Sequence, residues 1–73
     1  MYIQRDKKVT QFRDYNFQLM VNLNKVYSIE LYEKQTLFFY IQNTRPIAWK
    51  YETEKDVNAA VDKIQKIASV EIV

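Results

Sequence analysis

Along the last third of the chain, Val57, Ala60, Val61, Ile64, Ile67 and Ala68 recur at three- and four-residue spacing. That period places them on one stripe of an α-helix. Thr53 followed by Asp56 reads as a capping box, with Asp standing where Glu or Gln is usual. Glu54 and Asp56 suit the positive end of the helix dipole, and Lys63 and Lys66 suit the negative end. Asp62 and Lys66 add an i,i+4 ion pair. Together these features predict a helix from Glu54 to about Ser69.

Upstream the period falls to two. Tyr27, Ile29 and Leu31 share one face of a strand, and Glu33-Lys34-Gln35 reads as a hairpin connection. Thr36 to Ile41 is β-rich and apolar throughout, which predicts a central strand covered on both sides. Gln42 to Arg45 forms the next turn, and Pro46 fits only a strand start or an edge. Ile47, Trp49 and Tyr51 then alternate with Ala48, Lys50 and Glu52. Earlier, Phe17, Leu19, Val21 and Leu23 alternate, predicting a strand over residues 16–22 and a bend at 22–25. Residues 1–14 read either as a short strand at Met1–Gln4 with a polar stretch or as a flexible arm. The expected fold is α+β, a single domain over residues 1–73. It is an antiparallel β-meander of about four strands with one amphipathic C-terminal helix packed on one face.

That face is expected to hold Leu19, Ile29, Leu31, Leu37, Phe39, Ile41, Ile47, Trp49 and Tyr51. The other collects Met20, Val26, Tyr32, Phe38, Tyr40 and Ala48 among polar residues. It is too aromatic for plain solvent-facing surface, and one helix cannot cover both sides. Glycine is absent, so the turns must rely on Asn or on longer loops.

Length sharpens the problem. A 73-residue chain buries only about 60% of its unfolded surface, so its stability margin is thin. Disulfides are ruled out and the usual zinc sites lack ligands, because there is no Cys and no His. Self-association or a dense aromatic core is left, and six Tyr, four Phe and one Trp supply material for either. No apolar run approaches the roughly 18 residues of a membrane span, and Arg5, Asp6, Lys7 and Lys8 interrupt the start. These readings predict a cytoplasmic protein without a membrane segment.

The same absences weigh against enzymology: the usual general base and the most reactive nucleophile are both missing. Ser28 and Ser69 have no evident activating partner. Glu30 and Glu52 can share the outer face, but as solvated strand positions. A phosphate loop needs glycine, and Asp56 and Asp62 do not converge on a helix. No catalytic residue, metal site or cofactor is expected.

Two binding readings remain. In the first, the chain is a protein-interaction module docking through Met20, Tyr32, Phe38 and Tyr40, with a homodimer as its form. In the second, the sheet aromatics stack single-stranded nucleic acid while Arg5, Lys7, Lys8, Arg13 and Lys50 contact phosphates. Net charge is +2, with a basic excess confined to the first 25 residues, which is weak for a polyanion partner. The tail Val70-Glu71-Ile72-Val73 alternates and can add a strand to an edge of its own or another chain, or fray.

The string from Val21 to Glu30, followed by Leu37-Phe38-Phe39-Tyr40 and Ile47-Ala48-Trp49-Lys50-Tyr51-Glu52, is similar to small bacterial and phage proteins of hypothetical function. FlbD-type flagellar proteins share this cadence and a C-terminal helix. The resemblance spans residues 20–67, is one of strand spacing, and transfers no functional residue. It implies a small non-enzymatic accessory protein.

Overall fold

The computed structural model describes all 73 residues. Strands β1 (Tyr2–Gln4), β2 (Thr10–Gln11) and β3 (Met20–Asn22) are followed by a 3-10 turn at Leu23–Lys25. Strands β4 (Val26–Tyr32), β5 (Thr36–Ile41) and β6 (Ile47–Lys50) and helix α1 (Glu54–Ile67) complete the chain. The fold is the expected α+β type, and β4, β5 and β6 form the antiparallel meander. Its fourth strand, however, is β2, in the order β2-β6-β5-β4. β1 and β3 pair separately, with Ile3 opposite Val21.

The strand expected over residues 16–22 therefore shrinks to its last three residues. The alternation is real, but other groups claim the backbone before Met20. The Asn16 carbonyl accepts the Ala48 N–H at 3.1 Å, and the Leu19 carbonyl accepts the Arg5 N–H at 2.7 Å. The Phe17 carbonyl accepts an Arg5 guanidinium N–H at 2.7 Å. The Gln18 carbonyl accepts the indole N–H of Trp49 at 3.1 Å. A buried indole needs such a partner, and the extended segment supplies it.

One core unites both sheets and the helix. Trp49, Phe39, Ile29, Leu37 and Ile47 meet Val57 and Ile64 of α1, and Ile3, Val9, Val21 and Leu23 close the end. Phe39 and Trp49 pack edge to face at 4.9 Å. Ile3 and Val9 rule out the flexible-arm reading of residues 1–14: each is almost wholly buried. Three residues change sides relative to expectation; Tyr27, expected to share a face with Ile29 and Leu31, is 67% exposed and lies beside Tyr40 instead. Leu19 is 54% exposed instead of inside. Val26 joins this core because the register of β4 slips between Val26 and Ser28, and a one-residue slip reverses the face a side chain occupies.

The helix begins as its cap demands: Thr53 Oγ1 accepts the Asp56 N–H at 3.1 Å. It stops at Ile67 rather than Ser69. Ala68 donates to the Ile64 carbonyl at 2.9 Å and turns extended, and the tail returns to the outer edge of β4. The tail thus adds to an edge of its own chain, with Ile72 bridging Ile29 in parallel.

The β4–β5 turn carries neither Gly nor Asn. Glu33 and Lys34 both lie in the left-handed region, at φ 52° and 62°, and the Gln35 N–H closes the turn on the Tyr32 carbonyl at 3.1 Å. Primed turns match the twist of the flanking strands, which is why the chain tolerates side chains there. Gln35 helps to hold the geometry: its carbonyl accepts the Tyr51 N–H and its amide donates to the Glu52 carbonyl. Left-handed backbone costs a non-glycine residue about 1–2 kcal/mol. Lys34→Gly is therefore expected to raise stability by about 0.5–1 kcal/mol after the unfolded-state entropy of glycine is subtracted. A higher urea midpoint at unchanged slope is the expected reading, and a lower midpoint contradicts the strain argument.

Candidate functional site

The outer face of the meander follows from strand register. Glu30 pairs with Phe38 and Phe38 with Ala48, so these three lie in one row across the sheet. Tyr32, Thr36, Lys50 and Thr10 form the adjoining row. The β2 pairing ends at Gln11 opposite Trp49, and beyond it the Ala48 N–H is taken by the Asn16 carbonyl. Alanine is the one small residue in that row, and its methyl leaves the depth into which a ring can sink.

The chain fills it. After β2 a turn, closed by the Tyr15 N–H on the Phe12 carbonyl at 3.3 Å, carries residues 12–15 over the sheet. Asn16 then bridges Ile47, and its side-chain amide donates to the Arg45 carbonyl at 2.8 Å. Phe38 consequently sits at the centre of a ring cluster. Its centroid lies 5.1 Å from Tyr15, 5.5 Å from Phe12, 5.6 Å from Tyr32 and 6.2 Å from Tyr40. The three closest contacts are edge to face, which the ring quadrupoles favour. Phe38 is left 6% exposed.

The face expected to await a second copy is thus covered from within. Met20, expected beside Phe38 and Tyr40, lies on β3 in the other sheet, pairs with Gln4 and is 47% exposed. Its face could not be read from alternation because β3 never joins the meander. Tyr32 and Tyr40 do belong to the cluster, half-buried at its margin.

The basic residues do not converge either. The Arg5 guanidinium stacks over Phe17 at 3.7 Å and donates to the Phe17 carbonyl, a structural position. Lys7 and Lys8 lie on the exposed turn between β1 and β2, and Lys50 is exposed on the outer face beside Thr36. Only Arg13 reaches the cluster, its guanidinium 4.7 Å from the Phe12 ring centre. Arg45, which the sequence does not single out, lies 4.8 Å over Tyr15 and forms an ion pair with Asp14 at 2.9 Å. Phe12 and Tyr15 are equally unannounced. The available signal was an aromatic pair three residues apart inside a polar stretch.

Between these rings and arginines lies a bowl of about 460 Å³. Its floor is Phe38, and its rim carries Arg13, Arg45, Glu30 and the phenols of Tyr15, Tyr32 and Tyr40. The Tyr40 hydroxyl donates to Glu30 Oε1 at 2.6 Å. That hydrogen bond, reinforced by burial and by the Glu30 charge, pushes the Tyr40 phenol up to about 12. Burial, aided by Asp6, raises the Tyr51 phenol as well. The bowl can seat an apolar group while offering hydrogen bonds at its margin. Glu30 and Glu52 do not form a pair: Glu30 shares the Phe38 row, whereas Glu52 follows Lys50 in the row beyond Tyr32 and Thr36.

No family model, curated protein or solved structure matches the chain.

Two outcomes follow from the cluster. Phe38→Ala removes the ring that four others contact, and a loss of about 3–5 kcal/mol is expected from urea unfolding. A loss below about 1 kcal/mol would mean that the cluster does not hold the segment. For Tyr40 the sign is set by its raised pKa. Below pH 10 both states keep the phenol proton and the contribution to stability is complete. As pH rises from about 10 towards 12 the unfolded chain releases that proton first, so stability falls. Tyr40→Phe should flatten this alkaline decline in unfolding midpoint, and an identical slope in the variant refutes the assignment.

Proposed function

We propose that this chain is a non-enzymatic protein-interaction module, and that its partner docks an apolar anchor into the bowl above Phe38. The observation that carries the reading is the bowl's composition: tyrosine and arginine around a buried phenylalanine. The charged residues of its lining are Arg13, Arg45 and Glu30, and Arg45 is paired with Asp14 beside it. Tyr and Arg dominate binding hot spots because they combine area with directional donors. Here the rings are already locked against one another, so little side-chain freedom remains to be lost on binding.

The pairing of the cations bears on the choice of partner. A polyanion gains from uncompensated cations, and each phosphate contact requires one. Here Arg45 is paired with Asp14 and Arg5 is committed to Phe17, which leaves Arg13 as the one unpaired guanidinium at the rim. The complementary surface is a protein patch with both charge signs around an apolar centre. Single-stranded nucleic acid, seated on Tyr32 and Tyr40 with Arg13 and Lys50 alongside, is the lesser reading. Homodimerisation through Phe38 loses its premise, because Phe12 and Tyr15 occupy that place. No helix is long and apolar enough to cross a membrane. A cysteine-free sequence accords with the cytoplasm as the site of action.

The test places a photoreactive side chain at Tyr32, with the same group at exposed Asn58 of α1 as control, in cells that make the protein. A discrete protease-sensitive adduct from position 32, absent from position 58 and lost with Arg45→Glu, is the expected result. A nuclease-sensitive product would replace this reading with the nucleic-acid one. Equal labelling at both positions would leave the bowl without a role.

A further inference from the structure

The meander has one edge at β2 and the other at β4. The β4 edge is occupied by the chain's own last residues. The Val73 N–H donates to the Ile29 carbonyl at 3.0 Å, the Leu31 N–H donates to the Val73 carbonyl at 2.7 Å, and Ile72 bridges Ile29 in parallel. Val70 and Ile72 pack against the core, whereas Glu71 and Val73 are exposed. The edge is therefore a built acceptor for one kind of segment: an extended strand with β-branched residues at alternate positions.

The occupant is lightly held. Among backbone hydrogen bonds, residues 69–73 make only the two at Val73. The connection to the helix contains no turn to unfold. Ala68 is extended at φ −147° and ψ 144°, and residues 68–71 carry neither Gly nor Pro. Such a segment points away from its helix as readily as along it. Exposed large apolar side chains occur on each element concerned: Tyr27 on β4, Ile67 at the end of α1 and Val73 on the tail, at 67%, 37% and 69% exposure. They lie outside the bowl; Tyr27 lies 6.4 Å from Tyr40 between ring centres, and Val73 keeps its two backbone hydrogen bonds.

We propose that the β4 edge accepts the C-terminal strand of a second copy, so that two chains exchange tails and form a dimer distinct from any contact through Phe38. The partner's segment is chemically identical to the resident one, so every hydrogen bond and side-chain seat is reproduced. Mass action sets the extent. A short tether holds the resident tail at an effective concentration on the order of millimolar, and exchange grows as the protein concentration approaches it. Because the site is an edge and not the outer face, its failure leaves the bowl reading intact.

The Ile29–Ile72 bridge sets Ser28 beside Glu71 in the neighbouring strand, within disulfide reach. The doubly substituted chain, Ser28→Cys with Glu71→Cys, should close an internal disulfide at low concentration. Failure to close it means that the tail does not seat on β4, and the proposal falls. Tagged Ser28→Cys chains are then mixed with untagged Glu71→Cys chains and oxidised over a concentration series. A mixed disulfide several-fold above a Ser28→Cys and Asn58→Cys control, rising with concentration, is expected. Adding Ile72→Asp to the Glu71→Cys chain should reduce it several-fold. Cross-chain yield equal to the control, or indifferent to Ile72→Asp, overturns the exchange.

Discussion

Burial of β5 on both faces is the constraint on which the rest of this molecule depends. Phe38 and Phe39 are adjacent in sequence and point to opposite sides of the sheet, and each is almost completely removed from water. Phe39 meets Trp49 in the core beneath α1; Phe38 meets Phe12, Tyr15, Tyr32 and Tyr40 above it. A chain of this size has one helix available, so the second face must be sealed by something less regular. Residues 12–16 do this, and the aromatic density of the sequence becomes a substitute for a second layer of secondary structure. The arginines stacked over Phe12 and Tyr15 extend the cover outward, keeping charge in water while their flat groups shield the rings.

The parts of this architecture that were legible in the sequence are those governed by local period. The helix stripe, the cap at Thr53 and the alternation of β4 and β6 all depend on neighbours within a few residues. So does the unbroken apolar run of β5, and the two hairpin positions followed from it. What escaped is governed by pairing across the chain. Thr10 and Gln11 carry no strand signature, yet they complete the sheet because β6 offers them an edge. Residues 16–19 carry a clear strand signature and form none, because Arg5, Trp49 and Ala48 take their carbonyls. Val26 lost its expected face to a bulge that no residue type announces.

The candidate site divides in the same way. Tyr32, Phe38 and Tyr40 were found because strand alternation places them together, and Met20 was misplaced because alternation alone does not say which sheet a strand joins. Phe12, Tyr15 and Arg45 belong to loops, where side-chain direction follows from tertiary contact and not from period. The candidate surface is accordingly a joint product. The strand contributes its floor, recognisable in advance; the loops contribute its rim, which decides what charge and hydrogen-bonding a visitor meets.

Ala48 couples the strand to its cover. It is wholly buried, pairs with Phe38 across the sheet, and gives its N–H to the Asn16 carbonyl. A larger side chain there finds no space without displacing the segment that lies over the sheet. Drift at this one strand position therefore weighs on residues 12–16 as well, and strand and cover pass from ancestor to descendant as one heritable unit.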